Sequence, residues 1–273
     1  MNAGPDCSRA AGVLRRRIGL VGHPGEVRAA VEDDYHHFRI RLFHDGKTVT
    51  GVESKTVRIP WSACAFAGDD WSKVIGAPIR ERSSAIASYA EMRHFCTHMF
   101  ELAGLAIAAV ADGVARRSYE MAVPYGTRRE EPARLWRDGE LQLTWRTDGK
   151  LIQGPEPYAG VPVGPGFAAW AQTHLSVAEG EAALVLRRAV VISSGRTSNL
   201  DAMAHSHAGG GCYATQPERA PQALRVVGST EDFEHRAEAL LSADLEWLDA
   251  GPATTLGRRA GQVPGAVGEP IRR

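Results

Sequence analysis

Two cysteines and two histidines in this chain are of the residue types that bind metal ions or act as nucleophiles. His36 opens a run of alternating apolar residues, Cys64 lies four residues after a proline, and Cys96 and His98 precede a long apolar stretch. Two thiolates and two imidazoles suit Zn²⁺ or iron in tetrahedral geometry. The sequence therefore predicts a metal site made of His36, Cys64, Cys96 and His98.

The same residues allow chemistry without a metal. Cys96 is then the expected nucleophile, with His98 or His36 as its base. A place at the N-terminus of a helix would lower the pKa of the Cys96 thiol and favour the reactive thiolate. The spacing matches no zinc-finger template, and the ordinary alternative is that the cysteines are core residues and His36 faces solvent.

A second histidine pair lies in a glycine-rich stretch. His205 and His207 precede three glycines and Cys212. A His-x-His pair can chelate a metal, and glycines let the backbone approach a ligand closely. If this loop folds over the first site, His205 or His207 is a candidate general base. The alternative is a flexible, solvated loop.

Two arginines near that loop are candidate substrate-binding residues. Arg188 lies on a predicted helix and Arg196 follows it. Guanidinium groups hold carboxylates or phosphates through paired hydrogen bonds. The alternative is surface charge on an amphipathic helix.

Composition and missing motifs exclude several function classes. The 32 basic and 32 acidic residues balance, so no net field favours nucleic acid or anionic lipid. The chain has no Walker loop, no GxGxxG between a strand and a helix, and no nucleophile elbow, which argues against a nucleotide cofactor and a standard α/β-hydrolase. Its 4 cysteines are too few for a disulfide scaffold. Without a signal or a span, we expect a cytoplasmic protein outside the membrane, with reduced thiols and a small-molecule substrate, and the oligomeric state stays open.

The elements that position these residues alternate between strands and helices. Residues 36–43 alternate apolar and polar side chains, and Asp45-Gly46 predicts a hairpin turn into a second strand over 48–59. A broad apolar face predicts a helix over 96–115, which places Cys96 and His98 at its N-terminus. Further expectations are a short helix or irregular lead-in over 26–34, helices over 80–92, 167–175 and 179–191, and strands near 141–152 and 224–227. A helix is also expected over 229–248, capped by Ser229-Thr230-Glu231-Asp232.

This pattern predicts an α+β fold, a small antiparallel sheet packed with helices. Strands followed by helices occur twice, which leaves open whether the two halves are a duplicated unit. The expected organisation is a disordered, arginine-rich leader over 1–20, an α+β domain with the Cys/His residues over 21–150, a second α-rich part over 151–250, and a disordered tail over 251–273.

Three motifs resemble an uncharacterised bacterial family, domain-of-unknown-function family 2889. They are the run Tyr35-His36-His37-Phe38-Arg39-Ile40-Arg41-Leu42, then Pro60 followed by Cys64 and Gly76, and then Cys96-Thr97-His98-Met99 ahead of an apolar helix. The resemblance covers residues 30–115 and implies no assigned activity. The chain departs from the family pattern at Phe95, where the family has glycine, and at His37, where it has an acid.

A weaker similarity links the chain to iron–sulfur scaffold proteins of the NifU and IscU kind. Those proteins place one cysteine after a three-stranded sheet and another at the start of a helix, as Cys64 and Cys96 are placed here. This similarity implies a labile iron–sulfur cluster or a persulfide.

These observations favour a small-molecule enzyme of hydrolase or lyase type with a metal- or thiol-dependent Cys/His site. The expected substrates are organic acids or thioesters in bacterial catabolism. An iron–sulfur or sulfur carrier is the alternative, and a non-catalytic binding protein with core cysteines is the third.

Overall fold

The computed structural model of the chain describes residues 10–68 and 70–251. Its strands are β1 (Ala11–His23), β2 (Glu26–Asp33), β3 (His37–His44), β4 (Val49–Arg58), β5 (Arg116–Gly126), β6 (Ala133–Arg137), β7 (Glu140–Thr147) and β8 (Ile152–Gly154). All pair antiparallel in one sheet with the order β4-β3-β2-β1-β5-β6-β7-β8. The predicted α+β class is confirmed, and the sheet is larger than expected.

The sheet consists of two four-stranded meanders that meet where β1 pairs with β5. Helix α1 (Thr97–Ala111) follows the first meander and packs on β1, β2 and β3. Helices α2 (Phe167–His174) and α3 (Val177–Ser193) follow the second, and α3 packs on β5, β6 and β7. Both halves therefore run from strands to helices, in the order that the sequence predicts.

One hydrophobic core lies between the sheet and these helices. It includes Leu14 of β1, Phe38 of β3, Leu102 of α1 and Val190 of α3. Because these residues come from both sides of residue 150, the predicted domain boundary crosses a shared core. That boundary also falls between β7 and β8, which pair with each other.

The opposite face of the sheet is covered by the C-terminal segment, which we define as residues 233–250. Leu241 and Leu248 pack there on Val21 and Ala30. The segment contains the short helix α4 (Leu245–Asp249). The first meander is therefore covered on both faces, by α1 on one and by the C-terminal segment on the other.

The predicted leader is wrong from Ala11 onward, because this stretch is a central strand. Val13, Leu14 and Ile18 are buried, and Arg16 is buried among acidic partners. Arg16, one of the arginines that suggested a leader, is thus neutralised inside the fold. Residues 1–9 of the leader, with Cys7, and residues 252–273 of the predicted tail lie outside the described residues.

The predicted helix over 229–248 is also wrong, because its expected cap binds elsewhere. The hydroxyls of Ser229 and Thr230 accept hydrogen bonds from Arg225 at 2.9 and 2.7 Å. The backbone N–H of Glu231 donates to the carbonyl of Asp34 at 2.7 Å. Tertiary partners have replaced the capping hydrogen bonds, and the regular α-helix here is limited to α4.

Three smaller expectations change as well. Where a helix or lead-in was expected over 26–34, Glu26–Asp33 form β2, because Val27, Ala29 and Val31 alternate toward the core. Residues 80–92 contain a 3₁₀ turn over Ser83–Ser88 instead of an α-helix, and 224–227 contribute isolated bridges instead of a strand. No helix among the described residues is long and apolar enough to cross a membrane.

Candidate functional site

The turn between β2 and β3 fixes the position of the His36 ring. The Oδ1 atom of Asp33 accepts the backbone N–H groups of Tyr35 and His36 at 2.9 and 3.0 Å, which closes an Asx-type turn. The same oxygen accepts a hydrogen bond from His36 Nδ1 at 2.9 Å. A carboxylate hydrogen-bonded to one ring nitrogen fixes the orientation of an imidazole ring.

Asp33 is itself held by a buried arginine. Arg16 of β1 pairs with Asp33 Oδ2 and donates a second hydrogen bond to Glu101 of α1 at 2.7 Å. Burial opposes the ionisation of Asp33, but His36 and Arg16 outweigh it and hold the pKa of this carboxyl well below its usual range. Asp33 is therefore a carboxylate at neutral pH.

The N-terminus of α1 brings Cys96 and His98 to this turn. Cys96 is the residue before the helix, and its backbone N–H donates to the Ala67 carbonyl at 2.8 Å. The Nδ1 atom of His98 lies 3.6 Å from Cys96 Sγ. The His98 ring stacks on the His36 ring with centroids 3.9 Å apart. Three of the four predicted metal ligands, His36, Cys96 and His98, thus form one cluster.

His98 carries a buried nitrogen that lacks a partner. Only 5% of the residue is exposed, and Nε2 has no hydrogen bond to any described group. Burial, with help from His36 and Arg16, lowers the pKa of His98 well below its usual value, so the ring is neutral. An unsatisfied buried polar atom costs about 1–3 kcal/mol, so its retention needs an explanation.

The donor atoms of Asp33, His36 and His98 all lie within 4.8 Å of one another. Two imidazoles and one carboxylate form the ligand set of many catalytic zinc sites and of non-haem iron sites. The arrangement can hold such a cation and leave coordination positions open. Sequence reasoning missed Asp33, although an acid three residues before a histidine at a strand end is a readable turn signal.

Burial reverses the predicted activation of the Cys96 thiol. Its pKa rises to about 12, because burial and the nearby Cys212 outweigh the amides of the helix N-terminus. The expectation of a lowered pKa at Cys96 is therefore wrong. Without a metal, this sulfur is a protonated thiol beside His98.

Cys64 lies in a neighbouring apolar cluster with Trp61, Ala214 and Ala223, against which Cys212 packs. Burial raises the pKa of Cys64 well above its usual value, and the nearby Cys212 and Cys96 add to the effect. The loop after α3 therefore does reach the first site, but it brings Cys212. His205 and His207 are exposed, and His205 Nδ1 lies 2.9 Å from the carbonyl of Ser206.

The two candidate arginines occupy different places. Arg188 lies near the cluster, with its Nε 3.6 Å from Glu101 Oε1. Arg196 is buried between the rings of Tyr35 and Tyr125, and its Nε lies 3.1 Å from Asp34. Arg188 therefore borders the site, whereas Arg196 ties the β2–β3 turn to the end of α3.

A cavity of about 250 Å³ opens between α1 and α3 beside Arg188. Glu101 and Leu105 line it, and His98 precedes them on the same face of α1 at the helical spacing of three and four. The cavity therefore ends one helical turn from the histidine pair. A small molecule has room there.

A second histidine cluster lies on the other face of the sheet. His37 Nε2 contacts Asp244 of the C-terminal segment at 2.7 Å, and its Nδ1 lies 3.5 Å from Glu32. Asp244 also pairs with Arg39, and Glu32 pairs with Arg58 at 3.2 Å. His36, not its neighbour, is the histidine that faces the Cys96–His98 cluster.

Residues 20–111 match the family model described as "Protein of unknown function (DUF2889)". The resemblance predicted from the motifs is confirmed. No curated protein matches the chain. The similarity to iron–sulfur scaffolds stays a prediction.

The DUF2889 segment contains the donor groups Asp33, His36 and His98, together with Cys96 and Glu101. Arg16, Arg188 and the C-terminal segment lie outside it. The candidate metal ligands therefore come from the matched family region, and the second wall of the cavity comes from the rest of the chain.

Proposed function

We propose that this protein is a metal-dependent enzyme of hydrolase or lyase type that acts on a small molecule. The proposed metal ligands are Asp33, His36 and His98, with Zn²⁺ or iron as the ion. The observation that carries the proposal is the buried, unpartnered Nε2 of the neutral His98. A metal ion at this position would satisfy that nitrogen.

The surroundings of the three donors support a cation. Asp33 is ionised and His98 is neutral, so neither needs to lose a proton to bind a metal. Arg16 stays on the second oxygen of Asp33 and fixes the orientation of the carboxylate. Cys96 lies 3.6 Å from His98 Nδ1 and orients that ring from the other side. Outer partners of this kind raise metal affinity.

A Zn²⁺ or iron ion would supply a Lewis acid that polarises a carbonyl or activates water. The protein groups would then bind the substrate and hold it in place. The cavity between α1 and α3 would receive the substrate, and its Arg188 and Glu101 supply charged groups on the side near His98. Buried charges of this kind orient polar substrates strongly.

An iron–sulfur or sulfur carrier is the second candidate, and the thiols favour it. Cys64 and Cys212 pack in one cluster, and Cys212 acts electrostatically on both Cys64 and Cys96. Burial raises the pKa of all three thiols, which weighs against a reactive thiolate or a persulfide in the protein as it stands. A carrier would purify brown and contain sulfide, whereas a zinc enzyme would be colourless.

Elemental analysis of protein purified without chelator tests the proposal. We expect about one metal ion per chain in the wild type and in the control His44→Gln, whose half-buried histidine ends β3, at the opposite end of the strand from His37. His98→Gln should contain less than about a tenth of that amount with an unchanged circular dichroism spectrum. A wild type that contains no metal and takes up neither Zn²⁺ nor Fe²⁺ would refute the proposal.

A further inference from the structure

The cavity between α1 and α3 has mostly apolar walls. Phe100 and Leu105 contribute from α1, and Leu184 and Val185 contribute from α3. An engineered cavity of about 150 Å³ holds benzene with its six carbon atoms. The volume of the cavity between α1 and α3 is about 250 Å³. In the same proportion, this cavity suits roughly ten non-hydrogen atoms. The walls therefore fit a compact apolar body.

One wall carries a cation whose partners are weak. The Arg188 side chain is 16% exposed, and its Nε lies 3.6 Å from Glu101, beyond a good hydrogen bond. One terminal nitrogen, NH2, contacts the Met92 sulfur at 3.7 Å. A thioether is a weak acceptor. Within the described part of the chain, Arg188 Nε has no hydrogen-bond partner.

The neighbouring arginine differs in this respect. Arg187 also lines the cavity, but its Nε donates to the Val163 carbonyl at 2.6 Å and its NH2 to the Gly164 carbonyl at 3.3 Å. Those hydrogen bonds tie Arg187 to the loop before α2. Arg188 is therefore the guanidinium that is free to meet a ligand.

We propose that this cavity binds a monocarboxylic acid with an apolar body, its carboxylate paired with Arg188. The assignment rests on the proposed function, because it makes such an acid the substrate of the site at His98. The carboxylate displaces the Met92 sulfur and gives Arg188 a strong acceptor in its place. Glu101, 3.6 Å from the same guanidinium, disfavours a second negative charge on the ligand.

The position of Arg188 also orients the ligand. Glu101 lies one turn after His98 on α1, so a carboxylate beside Arg188 and Glu101 is anchored next to the histidine pair. The apolar body then extends along Phe100 and Leu105, away from His98. Bonds near the carboxylate, rather than at the far end, are placed for reaction.

Isothermal titration with matched probes tests this assignment. Octanoate and phenylacetate each have about ten non-hydrogen atoms, and octanamide and phenylacetamide have the same shape without the charge. We expect each carboxylate to bind wild-type protein at least about tenfold more tightly than its amide. Arg188→Gln should remove this preference, and the control Arg187→Gln should keep it.

Arg188→Lys guards against a folding defect, because it keeps the charge without the planar fork and should retain part of the preference. Equal binding of acid and amide by wild type, or an unchanged preference in Arg188→Gln, would overturn the assignment, as would failure of the folded protein to bind any probe. The titrations are run on protein with and without added Zn²⁺. A preference that depends on Arg188 in protein unable to bind metal would uphold the cavity assignment and refute only the metal centre.

Discussion

His36 and His37 are adjacent in the chain, yet they lie on opposite faces of the sheet and have different partners. His37 contacts Asp244 and Glu32, and both carboxylates also pair with arginines. His36 contacts Asp33 and stacks on His98, whose Nε2 lacks a partner among the described residues. A histidine beside carboxylates is therefore not diagnostic of a site. The two clusters differ in their hydrogen bonding. The His37 ring has partners for both nitrogens, whereas Nε2 of His98 in the His36 cluster has none among the described residues.

The His37 cluster has a structural role. Besides Asp244, the C-terminal segment contributes the backbone N–H of Leu241, which donates to Glu32 at 2.8 Å. Arg28 of β2 donates to the Trp247 carbonyl at 2.7 Å. These contacts fasten the segment across β2 and β3. The His37 cluster thus stabilises the fold, whereas the His36 cluster retains the unpartnered Nε2 of His98.

The loss of Asp244 is expected to have the largest effect, on the free energy of unfolding. Asp244→Ala leaves His37 and Arg39 without their buried acceptor, and breaking a buried ion pair costs about 3–5 kcal/mol. Urea denaturation should show this loss in the free energy of unfolding, with metal content per folded chain unchanged. A loss below about 1 kcal/mol, typical of an exposed pair, would mean that the cluster does not hold the segment.

The adjacent histidines give the most direct comparison. His36→Gln should weaken Zn²⁺ affinity at least about 100-fold, because loss of an outer partner alone typically costs 10–100-fold. His37→Gln should reduce stability and leave affinity within about threefold, because its ring lies on the other face. Competition titrations with a zinc-binding dye measure both, and equal effects of the two variants would remove the distinction between the clusters.

The face that carries His37 should also show a defined acid sensitivity. Burial opposes the ionisation of Glu26, but hydrogen bonds from Arg41 and Arg28 hold its pKa at about 2, against 4.5 ordinarily. The stabilisation that Glu26 contributes is therefore complete above pH 4.5 and is lost as the pH falls toward 2.

Glu26→Gln should lower the free energy of unfolding by about 2 kcal/mol at pH 7, the usual contribution of hydrogen bonds to a charged group. The difference from wild type should shrink as the pH falls from 4.5 to 2. Denaturation curves across this range test it. A difference that stays constant with pH would show that the charge of Glu26 is not responsible.

The smallest effect concerns the thiol beside His98. Cys96→Ala removes the group 3.6 Å from Nδ1 and should weaken Zn²⁺ affinity about tenfold, as expected for an outer partner. Cys96→Ser keeps a polar atom there and should lose less. Cys64→Ala, in the neighbouring apolar cluster, is the control and should keep full affinity. A loss above about 1000-fold in Cys96→Ala would make Cys96 a ligand and extend the site to the thiols.

Local patterns predicted the elements that carry the site. The alternation through Phe38, Ile40 and Leu42 and the apolar helix after Cys96 both hold, and they bring His36 to His98. The periodicity of apolar residues is a local property, so a sequence displays it directly. The cluster of His36, Cys96 and His98 could be predicted from the sequence for that reason.

Interactions between residues far apart in the sequence could not be predicted in this way. Arg16 was assigned to a leader because its neighbours are basic, and its acceptors Asp33 and Glu101 lie 17 and 85 residues away. Ser229 and Thr230 read as a helix cap until Arg225 binds their hydroxyls. The choice between His36 and His37 depends on strand register, which a shift of one residue reverses.

The pairing of β1 with β5 has a consequence for any shorter form of the protein. The DUF2889 match ends at residue 111, and β5 begins at Arg116. A chain cut after α1 would leave one side of β1 without its eleven register partners from Ala11 to Val21. Such an open strand edge invites self-association, so the excised segment should aggregate where the longer chain remains dispersed.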